Sequence, residues 1–385
     1  EFGPARNNHE RTDAKPSEGE AAGAQSGTKP GTPVARPAPM APRYARPAAP
    51  KPANLLGAAA ELGGDLVVAD LGIPPRLLDE AEESGGRLFL LRAEELGAEL
   101  PGRPPAAHKG SFGHGVVVAG SPGKAGAVVL TLRGAVRAGA GLVTAAVPEP
   151  LLTPVDLGSL ESMTLPLPAS ESGQIGEAAV DRVLSFLDGK SALAVGPGLG
   201  QEEATFAAIR RLVLEARLPL VLDADGVNAF AGRARELSGR RAATVLTPHP
   251  GELGRLLGVD TAEIQRDRPA AVRRAVAETG AVVILKGRSS LVGAPGPDGA
   301  DAADVWICPT GNPGMATGGS GDVLTGVVLA LLGQVDDPVT AACLSVYLHG
   351  LAGDLAAQRL GERSLAAADL PEALAEAFRV LEPYR

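Results

Sequence analysis

The chain has 385 residues, with 36 Lys and Arg against 45 Asp and Glu, a formal net charge of −9, and 45% apolar but only 3% aromatic side chains. That length suffices for one large or two medium domains with an Ala, Val and Leu core, and the acidic balance argues against nucleic acid as a partner. Cys308 and Cys343 are too few for a disulfide framework or a zinc site, and the longest apolar run, Asp322 to Leu332, is too short to cross a bilayer, so a cytoplasmic protein with no membrane partner is expected.

The chain begins at Glu1 rather than methionine, as a processed or truncated chain or a fragment of a longer product does. Residues 1–53 hold ten prolines, eight Lys or Arg and five Asp or Glu, without leucine or isoleucine. Such a low-complexity segment cannot bury enough surface to offset its ordering entropy and is expected to be disordered. From 54 to 103 the pattern predicts strands at Asp65–Asp70 and Arg87–Leu91 with a turn at Leu71–Pro75. This piece is too small for its own core; it either packs on the large domain after it or is the tail of a domain.

From 104 to 385 strands and helices alternate. Strands are predicted at Val116–Ala119, Leu142–Val147, Leu193–Val195, Leu220–Asp223, Thr244–Leu246 and Val282–Lys286. Helices fall between them at Ala125–Ala138, Glu202–Ala216, Gly251–Leu257 and Arg268–Thr279. Strand-like Ser290–Val292 and Val305–Cys308 precede helices at Asp322–Leu332, Pro338–Arg359 and Ala366–Leu381. The alternation predicts an α/β sandwich with a mostly parallel sheet covered on both faces.

In such a sheet, ligands bind beyond the carboxyl ends of the strands, where five junctions are unusual. Gly120 to Ala127 and Val195 to Gly200 are glycine-rich, and each reads either as a tight turn or as a ligand loop. Asp223 and Asp225, in Leu222 to Asn228, either touch a metal-bound phosphate or serve a turn and a helix cap. In Thr247 to Glu252 two prolines stiffen a strand end that projects His249 and Glu252; the plain reading makes His249 a hydrogen bonder and Glu252 a partner of the helix dipole. The fifth, Gly311 to Asp322, runs straight into an apolar helix. Gly319, Ser320 and Gly321 would aim consecutive N–H groups into one concavity, with Asp322 beside it to accept a proton; the alternative is an Asp that only caps its helix.

Six motifs in this order resemble the NAD(P)H-hydrate dehydratase family of the ribokinase-like superfamily, over about residues 108–380. They are Gly-Ser-Pro-Gly-Lys-Ala-Gly-Ala, Gly-Pro-Gly-Leu-Gly, Leu-Asp-Ala-Asp-Gly-Val-Asn, Thr-Pro-His-Pro-Gly-Glu, Leu-Lys-Gly-Arg and Asn-Pro-Gly-Met-Ala-Thr-Gly-Gly-Ser-Gly-Asp. Vitamin-precursor kinases of the superfamily carry Asn where His249 stands, which favours the dehydratase. The resemblance implies a ribokinase-like three-layer α/β/α sandwich and dehydration of the S epimer of NADHX or NADPHX through a phosphorylated intermediate. It implies Mg2+ and ADP as cosubstrate, giving AMP and phosphate, because the Arg- and Ala-rich coding bias leans towards bacterial, ADP-using members. The alternatives are an ATP-dependent version of the same dehydratase, or a ribokinase-like hydroxyl kinase acting on a vitamin precursor.

By the same resemblance the hydrate contacts Ala125, Gly198, His249 and Asp322, with Asp322 as catalytic base. The nucleotide contacts Lys286, Gly287, Arg288, Ser289, Ser290 and Gly321, the anion hole is Gly319, Ser320 and Gly321, and Glu252 holds Mg2+ through water. A homo-oligomer, in the form of a tetramer, is expected. Val67 to Pro74 resembles the last strand of the epimerase domain often fused upstream, so 54–103 is expected to be its remnant, without epimerase activity.

Overall fold

The computed structural model describes residues 44–47, 55–56, 66–69, 87–296 and 299–385. Expectations for residues 1–43 and 48–53 and for the turn at Leu71–Pro75 lie outside the described residues. Strands β1 (Tyr44–Pro47) and β2 (Leu66–Ala69) pair in parallel. β1 falls at the end of the segment 1–53. Composition gauges what a segment can bury, whereas a strand forms wherever its N–H and C=O groups find a partner.

The remaining strands are β3 (Leu88–Leu90), β4 (His114–Val118), β5 (Leu142–Pro148), β6 (Met163–Leu167) and β7 (Ala192–Val195). They continue with β8 (Leu220–Leu222), β9 (Thr244–Leu246), β10 (Val282–Leu285), β11 (Leu291–Gly296) and β12 (Gly299–Ile307). These ten form one sheet in the order β3-β12-β11-β10-β9-β8-β7-β4-β5-β6, in which β11 alone runs against the rest. The helices are α1 (Ala93–Ala98), α2 (Ala125–Arg137), α3 (Leu152–Gly158), α4 (Glu177–Phe186), α5 (Glu203–Glu215) and α6 (Asp225–Asn228). After them come α7 (Pro250–Leu257), α8 (Thr261–Arg266), α9 (Arg268–Thr279), α10 (Ser320–Leu332), α11 (Pro338–Leu360) and α12 (Leu370–Leu381).

Alternate strand residues serve opposite faces, so the sheet separates two apolar cores. Val117, Val143, Ala145, Val221 and Ile284 pack with α2, α10, α11 and α12, while Val116, Val118, Leu193, Leu222 and Leu285 pack with α4, α5, α7 and α9. This is a ribokinase-like α/β/α sandwich with a mostly parallel sheet, as expected. Helix α11 is long and apolar enough to cross a bilayer, yet 67% of its most apolar window is buried, the pattern of a core helix.

The expected division at residue 104 is not a division of the sheet. β3 pairs in parallel with β12, bringing Leu88, Phe89 and Leu90 opposite Val305, Trp306 and Ile307. Phe89 stacks on Trp306 at 5.4 Å between centroids, Arg87 pairs with Asp304 at 2.8 Å, and Leu91, Leu96 and Leu100 enter the core. Of the two readings of this segment, packing on the large domain holds from residue 87 onward, because the outer edge of β12 needs a partner for its N–H and C=O groups. Elements α3, β6 and α4 were not expected. Pro154 in α3 and Pro166 in β6 interrupt the local pattern, and β6 tolerates its proline as the last strand of the sheet.

Candidate active site

The end of β12 and the start of α10 are joined by the glycine-rich return that closes at Gly319. Gly319 has φ +97°, and a Cβ there would lie 2.4 Å from a Leu130 methyl, so only glycine fits. It is the N-cap of α10, and no side chain caps that helix. The first N–H groups of a helix have no intrahelical partner, so this turn is a ready anion site. Asp322 lies inside the first turn and is not the cap, which removes the plain reading of that residue.

Gly321 brings α10 against the end of β10. A Cβ at Gly321 would stand 3.1 Å from Lys286 Nζ. The Lys286 ammonium pairs with Asp223 Oδ1 at 2.7 Å and lies 3.8 Å from Glu252 Oε2. Burial works to lower its pKa, but the Asp223 and Glu252 carboxylates outweigh that and hold it above the usual lysine value, so it stays charged. The other Asp223 oxygen accepts a hydrogen bond from Thr325 Oγ1 at 2.8 Å. Asp223 thus orients the ammonium with one oxygen and holds α10 with the other. Asp322 is pushed up to about 7, first by burial and then by the nearby Asp223 charge, with Lys286 and Lys124 opposing.

His249 and Glu252 form a reciprocal cap on α7. His249 Nδ1 accepts from the N–H groups of Gly251 at 3.0 Å and Glu252 at 3.3 Å, and Glu252 Oε2 accepts from the His249 N–H at 2.8 Å. Because Nδ1 is an acceptor, Nε2 carries the proton, 3.3 Å from Glu252 Oε1. Burial lowers the His249 pKa, so the ring is neutral at pH 7. The Glu252 carboxylate is buried and engaged within this cap. Among the described residues no group of three or more His, Cys, Asp or Glu is placed to hold a metal.

The two glycine-rich loops meet where Ser121 Oγ donates to the Gly198 carbonyl at 2.7 Å, which sets Gly198 beside the start of α2 and Ala125. Asp225 accepts from the Gly200 N–H at 3.0 Å and from Gln201 Nε2 at 2.9 Å. Its carboxylate fastens the second loop and does not cap α6. In the Lys286–Ser290 loop, Ser290 Oγ donates to the Gly287 carbonyl and Ser289 Oγ to the Leu55 carbonyl, both at 3.0 Å. The Ser289 hydroxyl proton is thus engaged within the protein, while its oxygen keeps its acceptor lone pairs.

Three side chains of this neighbourhood escaped the sequence reading: Thr325, Lys124 and His349. Thr325 is hidden in an apolar helical run, one turn beyond Gly321, and Lys124 reads as an ordinary loop lysine. His349, on α11, is buried and pushed down to about 4 by burial, hence neutral; its Nε2–H donates to the Ser320 carbonyl at 2.9 Å. Nothing local marks it, since its partner is 29 residues away.

A doubly covered, mostly parallel sheet with a glycine-started helix and an acid at its carboxyl edge defines a ribokinase-like α/β protein. A ribokinase-like superfamily protein from Enterococcus faecalis shares this fold at TM-score 0.64 and 23% identity, over 76% of this chain and 96% of that one. The sequence profile of the NAD(P)H-hydrate dehydratase family matches residues 115–376. The chain belongs to the NAD(P)H-hydrate dehydratase family, whose enzymes are lyases.

It is 44% identical over 335 residues to the bifunctional NAD(P)H-hydrate repair enzyme Nnr of Moorella thermoacetica, covering 87% of this chain and 62% of that protein. It is 37% identical over 320 residues to the enzyme of the same name from Escherichia coli, covering 83% and 57%. The chain thus spans about three-fifths of the length of these relatives. Among solved structures, the ADP/ATP-dependent NAD(P)H-hydrate dehydratase from Bacillus subtilis, co-crystallised with ATP and Mg2+, matches with TM-score 0.65 and 32% identity over 78% of this chain and all of that one.

Proposed function

We propose that this chain restores NADH and NADPH from the S epimers of their hydrates, NADHX and NADPHX, consuming ADP and releasing AMP and phosphate. The carrying observation is the Asp322 carboxyl, raised to about 7, in the same helical turn as the Gly319–Gly321 anion hole and beside the Lys286 ammonium. A base tuned near neutral pH next to a cationic anion hole is what phosphoryl transfer to a hydroxyl requires. Hydroxide leaves poorly from the hydrated ring, and phosphate leaves well. Asp322 takes the ring hydroxyl proton as that oxygen bonds to the terminal phosphorus of ADP, and the bond from phosphorus to the AMP oxygen breaks. The ring nitrogen lone pair then drives cleavage of the carbon–oxygen bond, phosphate departs, and loss of the neighbouring proton restores the double bond.

The hydrate lies against Ala125, Gly198 and His249; the neutral His249 ring suits an uncharged tetrahydropyridine better than an imidazolium would. The N–H groups of Ser320 and Gly321 and the Lys286 ammonium hold the transferring phosphoryl, with Gly287, Arg288 and Ser290 along the nucleotide. Mg2+ would come in on the nucleotide phosphates, whose charge it neutralises, with Glu252 holding it through water.

The test incubates the protein with NADHX, Mg2+ and either ADP or ATP while following the dihydronicotinamide absorbance. The expected result is recovery of absorbance from one epimer, faster with ADP, with one AMP and one phosphate per NADH. Accumulation of a stable phosphorylated product without recovery would replace the dehydratase reading by a hydroxyl kinase.

A further inference from the structure

Arg268 opens α9 beneath the Lys286–Ser290 loop. Its Nη1 donates to the Arg288 carbonyl and its Nη2 to the Leu285 carbonyl at 3.3 Å. Those two carbonyls bracket Lys286 and Gly287, so one planar group spans the turn from end to end. The fit is close on both sides, since a Cβ at Gly287 would come within 3.2 Å of Nη2. Ser289, the next residue along, holds φ +49°, a backbone state that a non-glycine residue keeps only where its surroundings impose it.

The charge of Arg268 is as informative as its geometry. Its neighbour Asp267 is occupied as the cap of α9, accepting from the Ala270 N–H at 3.0 Å. Arg268 enters none of the ion pairs formed among the described residues, and its Nε is buried without a hydrogen-bond partner. The side chain is half-buried; drawing a cation partly out of water without a counter-charge has a cost, and a neutral side chain would tie a loop at less. Such a cation is explained if the loop above it carries anions when the protein works.

We infer that Arg268 is the positioning residue of the nucleotide subsite, its fork fixing the loop that presents Lys286 and Ser290 and its unpaired charge favouring a polyphosphate over an uncharged nucleoside. The inference rests on the reading of this loop as the nucleotide site. A lysine at 268 keeps the charge but spans only one of the two carbonyls, so the conservative replacement does not restore the function.

The experiment measures binding of ADP and of adenosine by calorimetry for the wild type, Arg268→Lys and Arg268→Gln, alongside KM for nucleotide and for hydrate. Both variants are expected to weaken ADP about tenfold, with Arg268→Lys recovering less than half of the loss on a logarithmic scale and adenosine binding unchanged. The nucleotide KM rises in parallel, and the hydrate KM does not follow. If either variant is too unstable to assay, Gly287→Ala crowds the same guanidinium from the other side and is expected to weaken ADP likewise. ADP binding by Arg268→Gln as tight as the wild type overturns the role of Arg268 alone. Wild-type protein that binds no adenine nucleotide overturns the reading beneath it, and the two failures are told apart by that wild-type control.

Discussion

At Asp322, the proposed role as a base and the stability of the fold pull in opposite directions. Its carboxyl has an ordinary value of 3.8 and is raised to about 7 in the folded protein, with burial the main cause. Between those values the folded protein binds more protons at this site than the unfolded chain, so stability falls as pH rises from about 4 to 7 and stays at the lower level above. Three pKa units set an upper bound of about 4 kcal/mol on that loss. Asp322→Asn is therefore expected to raise the melting temperature at pH 8 and to leave it unchanged at pH 3. The same variant is expected to lower turnover by roughly two to four orders of magnitude with nucleotide affinity nearly intact, as loss of a positioned base does. For the wild type, kcat/KM should climb through pH 7 and level off above it as the base ionises; a profile flat from pH 5.5 to 8.5 would show that Asp322 does not act as a base.

At the scale of elements, the proposed anion hole is only as well placed as α10. That helix is buried on nearly every side and crosses α2 closely, because a Cβ at Gly326 would fall 2.0 Å from the Thr131 carbonyl oxygen. No side chain fits without parting the two helices. Gly326→Ala is expected to cost about 1–3 kcal/mol in a urea melt and to lower turnover as well, since the start of α10 shifts with it. Unchanged stability would mean that the helices have slack at their crossing. Helix α7 offers a milder case: His249→Ala removes the acceptor of its cap and should cost about 1 kcal/mol, whereas His249→Asn keeps an acceptor and most of that stability.

At the scale of the whole molecule, residues 87–103 are part of the fold. Trp306 is the single tryptophan of the chain, and β3 covers it through Phe89. A chain starting at residue 104 loses β3, α1 and the buried side chains of Leu91, Leu96 and Leu100. At about 1.5–3 kcal/mol for each buried leucine, that loss is comparable with the whole stability of an ordinary domain. Such a chain is expected to melt far lower than one starting at residue 87, and its Trp306 emission should shift to the red. Identical melting and emission of the two chains would show that β3 adds nothing to the sheet.

Much of this protein is legible in its residues alone. The alternation of short apolar runs with amphipathic helices specified the α/β sandwich, because strand and helix periods are local properties of a sequence. The glycine-rich junctions marked the strand ends as the proposed ligand-binding edge, since that is where such a sheet binds ligands. The tertiary structure decided how those junctions combine. Asp223 meets Lys286 across 63 residues and Thr325 across 102, pairings that no local pattern encodes. It also assigned Asp225 to fastening a loop and Glu252 to capping α7, and placed His349 and Arg268 behind the loops they steady. An aspartate or arginine carries the same chemistry in every sequence, and only its partners in space determine whether that chemistry builds a turn, holds a helix or moves a proton.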